Sequence, residues 1–303
     1  MRGIAAFVMA GRLRAVVAAV GFGMLALLLP PVALLSGAVV ALVALRLGPR
    51  EALYVAGLGI LALMALTGFA SGQPLLGLVY GVAQWLPPLV LAQVLRRTVS
   101  WTVTLQTALL FGAGVVLAIH GLADDPAAMW QGLLDETVRP MFEQGAMSPA
   151  DVEAALSEAA RMMTGAFAAS LLLSLTLTLL LARYWQAALY NPGGFRTEFH
   201  ALRVGRWPAM AVLALLVAGL LTGQSLPVEL AIVGLAVYLL QGIALMHALA
   251  ARLKWHVGWL VGMYVLLLLV LPHVSVLLAA MGVIDSFADI RQRLAAERPG
   301  GGE

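Results

Sequence analysis

The chain has no cysteine, a single lysine and few charges of any kind. Without cysteine there can be no disulfide, no thiolate metal site and no cysteine nucleophile. Only 11% of its 303 residues are charged, against about a quarter in soluble domains. Catalytic signatures are missing as well. There is no HExxH zinc site, no GxSxG nucleophile elbow, no glycine-rich phosphate loop followed by lysine and no intramembrane aspartate pair. His120 and Asp124 have the i, i+4 spacing of two metal ligands, but they sit at a helix end before Pro126 and lack a third ligand. These absences argue against an enzyme, assign no metal and no cofactor, and mean that any active transport needs a partner ATPase. What is present is apolar: 62% of residues are hydrophobic and the mean hydropathy is +0.97. That composition is that of an integral membrane protein whose first partner is the lipid bilayer. The formal charge of +3 comes from arginine, with Lys254 the one lysine. Such an excess is read through its distribution along the chain and does not point to nucleic acid.

Apolar runs fall at 15–29, 32–47, 52–70, 75–95, 101–119, 165–190, 208–223, 228–250 and 257–281. A spanning helix needs roughly 17 to 25 residues, and the last seven runs are expected to cross, 208–223 being the shortest of them at 16 residues. The first two, of 15 and 16 residues, are separated by Pro30-Pro31, which removes backbone donors and breaks a helix. They form either two short tilted spans or a re-entrant hairpin. The expected fold is all-α, a polytopic transmembrane helical bundle of about eight to nine membrane segments with an extracytoplasmic amphipathic helical segment. Its parts are N-terminal membrane helices (1–120), an acidic extracytoplasmic segment (121–164), C-terminal membrane helices (165–284) and a polar tail (285–303). No internal repeat is evident. The N-terminus resembles a signal sequence, and the second apolar run directly after the prolines favours an uncleaved anchor.

The arginines set the orientation. Alternating sides collects Arg2, Arg12, Arg14, Arg46, Arg50, Arg96, Arg97, Arg183, Arg196, Arg203, Arg206, Arg252 and Lys254 on one side. The other side receives Asp124, Asp125, Asp135, Glu136, Glu143, Asp151, Glu153 and Glu158 against only Arg139 and Arg161. Basic residues accumulate in short cytoplasmic loops, so the chain is expected in the cytoplasmic (inner) membrane with its N-terminus in the cytoplasm. The C-terminal tail falls outside if all nine runs cross or pair, and one span fewer moves it inside.

The acidic segment reads as helical. In "SPADVEAALSEAARMM" Ser148 is a good N-cap, Pro149 suits the first helical position, and Asp151 and Glu153 favour the positive helix start. No breaker follows before about Tyr190, so one helix of about 40 residues is expected to rise from the surface and cross the membrane. Before it, Met129, Leu133, Val138, Met141 and Phe142 in "AAMWQGLLDETVRPMF" lie roughly on one face. That stripe is either ordinary packing on the bilayer or a lid over a ligand chamber.

"NPGGFRTEFHALRVGRW", 191–207, is the organised basic stretch between apolar runs. Asn191, Pro192, Gly193 and Gly194 turn the chain. Phe195, Phe199 and Leu202 then share one face of a short cytoplasmic interfacial helix over 195–203, and Arg196, His200 and Arg203 share the next. These three basic residues are candidates to face lipid headgroups or a partner. "NPGGFRTEFHALRVGR" resembles the signature of the YybS-like family of bacterial multi-pass membrane proteins, whose biochemical function is unassigned. "GVIDSFADIR", 282–291, resembles that family's C-terminal end. The resemblance in length and layout covers nearly the whole chain. It implies a fold related to the substrate-binding S components of energy-coupling-factor transporters and to a cell-shape scaffold protein. S components dock a membrane coupling subunit through small residues spaced by four on the first helix, and Ala15, Ala19 and Gly23 carry that spacing here. Gly77 with Gly81, Gly219 with Gly223 and Ala244 with Ala248 share it, as close internal packing also would.

Polar residues inside apolar runs are the remaining pointers, since a charge at the bilayer centre costs about 2.5–3.5 kcal/mol or more. Glu229 lies near the outer end of its run, and His247 and His273 lie within theirs. Pro87-Pro88 is expected to bend or break its segment beside Gln84 and Trp85. Gln84, Trp85, Gln241 and His247 are the candidate pocket for a small neutral or aromatic ligand, with interhelical hydrogen bonding as the alternative role of each. Two functions therefore stand open: an S-component-like binder of a small molecule or lipid, working with a coupling subunit and ATPase, or a non-transporting scaffold that recruits other membrane proteins.

Overall fold

The computed structural model describes residues 1–142, 148–291 and 293. Glu143 and the tail residues 292 and 294–303 lie outside the described residues. Every regular element among the described residues is helical. Seven helices are long and apolar enough to cross a membrane: Pro30–Leu47, Pro49–Ser71, Pro74–Thr98, Trp101–Leu122, Pro149–Tyr190, Ser225–Arg252 and Leu271–Ala288. Arg206–Thr222 and Gly258–Leu269 are apolar but shorter. A membrane-embedded helical protein is the result.

The chain forms two compact units, Met1–Ala108 with Ser174–Ala201 and Leu109–Leu173 with Leu202–Glu303. The first contains α1 (Arg2–Met9), α2 (Arg12–Ala26), a 3-10 turn (Pro30–Val32), α3 (Ala33–Leu47), α4 (Pro49–Ser71), α5 (Pro74–Thr98), the start of α6 (Trp101–Leu122), the end of α9 (Pro149–Tyr190) and α10 (Gly194–His200). Helix α3 is its centre, because every residue from Ser36 to Leu45 is buried, and α2, α4 and α5 pack on it. A helix apolar on all sides belongs in an interior. Pro30 and Pro31 make the 3-10 turn that carries this element to 18 residues, so the second short run meets the spanning length while α2 has only 15 residues.

The second unit contains the end of α6, α7 (Pro126–Thr137), α8 (Arg139–Phe142), the start of α9, α11 (Arg206–Thr222), α12 (Ser225–Arg252), α13 (Gly258–Leu269) and α14 (Leu271–Ala288). Helix α12 is central, with α14 and α11 against it. The α12–α14 contact is close because glycines face it: a Cβ on Gly242 would strike the Leu278 carbonyl, and one on Gly282 would strike that of Tyr238.

Three elements differ from the sequence expectation. The run 257–281 is two helices, parted at Val270 (φ −129°, ψ 47°), since Pro272 has no N–H to give the Leu268 carbonyl four residues back and its ring clashes with that carbonyl in a continuous helix. The second part continues to Ala288, so Asp285 and Ser286, placed in the tail, are helical. Conversely, α5 runs unbroken through Pro87 and Pro88. The interfacial helix spans Gly194–His200 and ends at Ala201, short of the expected 203.

The uninterrupted helix from Pro149 is present: α9 has 42 residues, about 63 Å at 1.5 Å per residue. Its start is capped as its sequence implies, with the Asp151 N–H donating to Ser148 Oγ at 3.2 Å and Ser148 Oγ donating to Asp151 at 2.7 Å. Before it, Asp125 caps α7 by accepting the Ala128 N–H at 3.1 Å. Met129, Leu133, Met141 and Phe142 are exposed and Val138 is half-buried, so most of this stripe points away from the protein interior. Arg139 of α8 pairs with Asp135 of α7 and Glu153 of α9, each at 2.6 Å, and its hydrogen bonds to these two, that to Glu153 first, raise its pKa.

Candidate functional site

The four pocket candidates divide between the units. In the first, Gln84 Nε2 donates to the Ala33 carbonyl at 2.6 Å. Trp85 is fully buried; its Nε1 donates to Ser36 Oγ at 2.9 Å, and Ser36 donates in turn to the Ala19 carbonyl at 2.7 Å. The indole lies so close to Gly59 that a Cβ there would come within 2.7 Å of the ring. Both side chains tie α5 to α3. Ala15, Ala19 and Gly23 are buried within the same unit; the Gly23 carbonyl accepts from Tyr80 OH at 3.0 Å. That stripe faces inward.

In the second unit Gln241 is a fully buried hub. Its Oε1 accepts the Val204 N–H at 2.7 Å. Its Nε2 faces the Gly282 carbonyl at 2.9 Å, Ser286 Oγ at 3.0 Å and Asp285 Oδ2 at 3.1 Å. Tyr238 OH donates to the Gly205 carbonyl at 2.6 Å. Arg203 pairs with Asp289, and Arg252 donates to the Arg291 carbonyl. The Asp289 hydrogen bond raises the Arg203 pKa. Burial lowers that of Arg291, Asp285 raises it, and Arg203 and Arg252 lower it. The two stretches "ALRVGR" and "GVIDSFADIR" are therefore joined through α12. His247 shares a 2.8 Å hydrogen bond with Tyr264 OH. Of the basic candidates, Arg196 is exposed and His200 is half-buried on α10, whereas Arg203 belongs to the network just described.

A different constellation stands at the other end of α12. Glu229, one turn into this apolar helix, is 2% exposed, and its Oε2 lies 2.5 Å from His120 Nε2 at the end of α6. Gly165 of α9 makes room for the pair, since a Cβ there would stand 2.6 Å from Glu229 Cα. The preceding residue, buried Thr164, accepts the Trp130 Nε1–H at 2.9 Å, and Trp130 packs on Phe167 with ring centroids 5.5 Å apart. Helices α6 and α12 thus pair an imidazole with a carboxylate, and α7 and α9 pair an indole with a hydroxyl and a phenyl ring, the two groups adjoining through the consecutive residues Thr164 and Gly165. His120 faces Glu229, with Asp124 exposed beyond the helix end. Among the described residues no three His, Asp or Glu side chains gather as a metal site.

Sequence reasoning named both residues but did not join them, because 109 positions separate them. The signal was their shared placement at the outer ends of two apolar runs. Chemically, the pair can hold a proton between imidazole and carboxylate, or open to let the carboxylate hold a cationic group. No protein-family model, curated protein or solved structure matches the chain.

Proposed function

We propose that this chain is an S-component-like membrane protein that binds a small cationic molecule at the end of its second unit marked by His120 and Glu229. The observation that carries the reading is buried Glu229 facing half-buried His120 at 2.5 Å. A carboxylate taken out of water is costly, and apolar side chains would join α6 to α12 without that cost. An ionisable residue inside a membrane helix is a functional candidate for this reason. Trp130 and Phe167 add aromatic faces that suit an amine. Asp124, Asp125, Asp151 and Glu158 add negative charge in the same stretch of sequence, beyond Asp135 and Glu153, which Arg139 pairs, and such charge attracts cations. The family resemblance implies a fold related to the S components and no activity; work with a coupling subunit and ATPase is part of this proposal. The arginine distribution supports the bacterial inner membrane, with the N-terminus in the cytoplasm and the acidic segment outside.

The alternative is a non-transporting scaffold, for which exposed Arg196 on α10 is the favouring observation. Native mass spectrometry of protein extracted gently from its own membrane separates the two. One small molecule per wild-type chain, absent from folded Glu229→Gln, is the expected result. Bare wild-type protein that carries other membrane proteins, and loses them on Arg196→Ala, would overturn the binder in favour of the scaffold.

A further inference from the structure

The first unit contains a pocket of about 280 Å³ lined by Leu45, Leu95, Arg96, Val99, Trp101, Arg183, Gln186 and Glu198. Its one acid is engaged. Glu198 accepts from Arg183 through both carboxylate oxygens and from Trp101 Nε1 at 3.2 Å. Arg183 also donates to Gln186 Oε1 at 3.0 Å. With Glu198 neutralised by Arg183, Arg96 leaves the lining one net positive charge.

Arg96 is the group with donors to offer. Among the described residues its only hydrogen bond runs from Nη1 to the Ala44 carbonyl at 3.5 Å, a carbonyl that already accepts from Gln93 at 3.1 Å and from the Gly48 N–H. Its guanidinium occupies the space where a side chain at position 48 would begin; Gly48, at φ +103°, leaves that space open. The Gln186 amide NH2 has no hydrogen bond among the described residues, its oxygen being held by Arg183. Two sets of N–H donors thus border a pocket whose remaining wall is apolar, from buried Leu45 and Leu95 to exposed Val99.

We infer that this pocket binds a phosphate ester, with Arg96 and Gln186 donating to the phosphate oxygens and Leu45, Leu95 and Val99 meeting the adjoining carbon chain. A guanidinium presents a planar fork of donors matched to phosphate. The volume, at the low end of ligand pockets, suits a headgroup and not a nucleotide cofactor. Glu198 would repel such an anion if it were free, and the Arg183 and Trp101 bonds hold its charge compensated. This site is independent of the proposed small-molecule site, which lies in the other unit.

The chemistry is common to a phospholipid headgroup and a soluble phosphate ester, and the test separates them. Wild type, Arg96→Gln, Gln186→Glu and Arg97→Gln would each be purified in detergent. They would be titrated with phosphatidylglycerol, phosphatidylcholine and glycerol 3-phosphate, with binding read by native mass spectrometry and calorimetry. Saturable phosphatidylglycerol binding, weakened about tenfold or more by Arg96→Gln and Gln186→Glu but not by Arg97→Gln, assigns the site to an anionic lipid. The same pattern for glycerol 3-phosphate assigns it to a soluble ester. Equal losses on Arg96→Gln and Arg97→Gln would mean unspecific charge attraction and overturn the site, as would no saturable binding of any probe to wild type. Arg96 and Arg97 are both exposed, so neither replacement removes a core residue.

Discussion

Replacing Gln241 by leucine keeps the volume of its fully buried side chain and removes only its hydrogen bonds. Four partners stand within reach: the Val204 N–H, the Gly282 carbonyl, Asp285 and Ser286 Oγ. A primary amide has two N–H donors, so the three acceptors around Nε2 compete, and about three bonds exist at one time. The Gly282 carbonyl keeps a second donor, Ser286 Oγ at 3.2 Å. The Val204 N–H loses its Gln241 acceptor, and the Asp285 carboxylate loses one donor while keeping its Arg291 ion pair at 3.3 Å. A hydrogen bond lost by a buried neutral group costs about 1–3 kcal/mol and one lost by a charged group about 1.5–3, so Gln241→Leu is expected to destabilise by about 3–5 kcal/mol. Gln84→Leu removes one bond, to a helical carbonyl, and is expected to cost about 1 kcal/mol. Steric trapping in bicelles measures both as free energies of unfolding. If Gln241→Leu costs no more than Gln84→Leu, the hub reading is wrong and the network is incidental to packing.

Two further substitutions test the close contacts. Gly282→Ala should weaken the α12–α14 contact by several kcal/mol, about the cost of overpacking against backbone, whereas Gly262→Ala, with nothing within 4 Å of the added carbon, should be neutral; thermal stability in detergent distinguishes them. At the His120–Glu229 pair, His120→Ala leaves a buried carboxylate without its partner and should cost about 3–5 kcal/mol. Glu229→Gln keeps a hydrogen-bonding group and should cost less, and adding it to His120→Ala should recover stability, so a double mutant less stable than His120→Ala would refute the pairing.

Features governed by local chemistry were legible in the sequence. Ser148, Pro149 and a breaker-free stretch announce α9, and that helix runs as its caps imply. Local rules gave an incomplete answer where one rule met another. Pro87 and Pro88 remove only two donors from a 25-residue helix, and the α3 packing, including the Gln84 bond to Ala33, holds α5 continuous. Pro272 acts on a run so apolar that hydropathy conceals the break, yet it parts α13 from α14. The end of α10 at Ala201 separates Leu202 from the stripe of Phe195 and Phe199, and the Val204 N–H beyond it finds its acceptor in Gln241, 37 residues on. The roles of Gln241 and Glu229 were hidden for the same reason, their partners being 37 to 109 positions distant.

The polar groups within these apolar helices differ in what they ask of the fold. Ser36, Gln84 and Trp85 are neutral, and each of their bonds closes a helix contact at modest cost. The charged groups Arg203, Asp285, Asp289 and Arg291 stand at the end of α12 that carries Arg252, where chain ends and loops meet. Glu229 fits neither class. It is charged in its ordinary form, buried one turn inside an apolar helix, and opposed by a single imidazole. The distance from Glu229 to Arg252 along α12 is about 35 Å, somewhat more than the roughly 30 Å of a bilayer core, so the two charged clusters are far enough apart to stand at opposite edges of such a layer. A fold needing only a staple between α6 and α12 could use the Gln241 solution, a neutral amide. The use of an acid at Glu229, with a hydroxyl and aromatic rings linked through Thr164, is what makes that end of the second unit the place to look for a ligand.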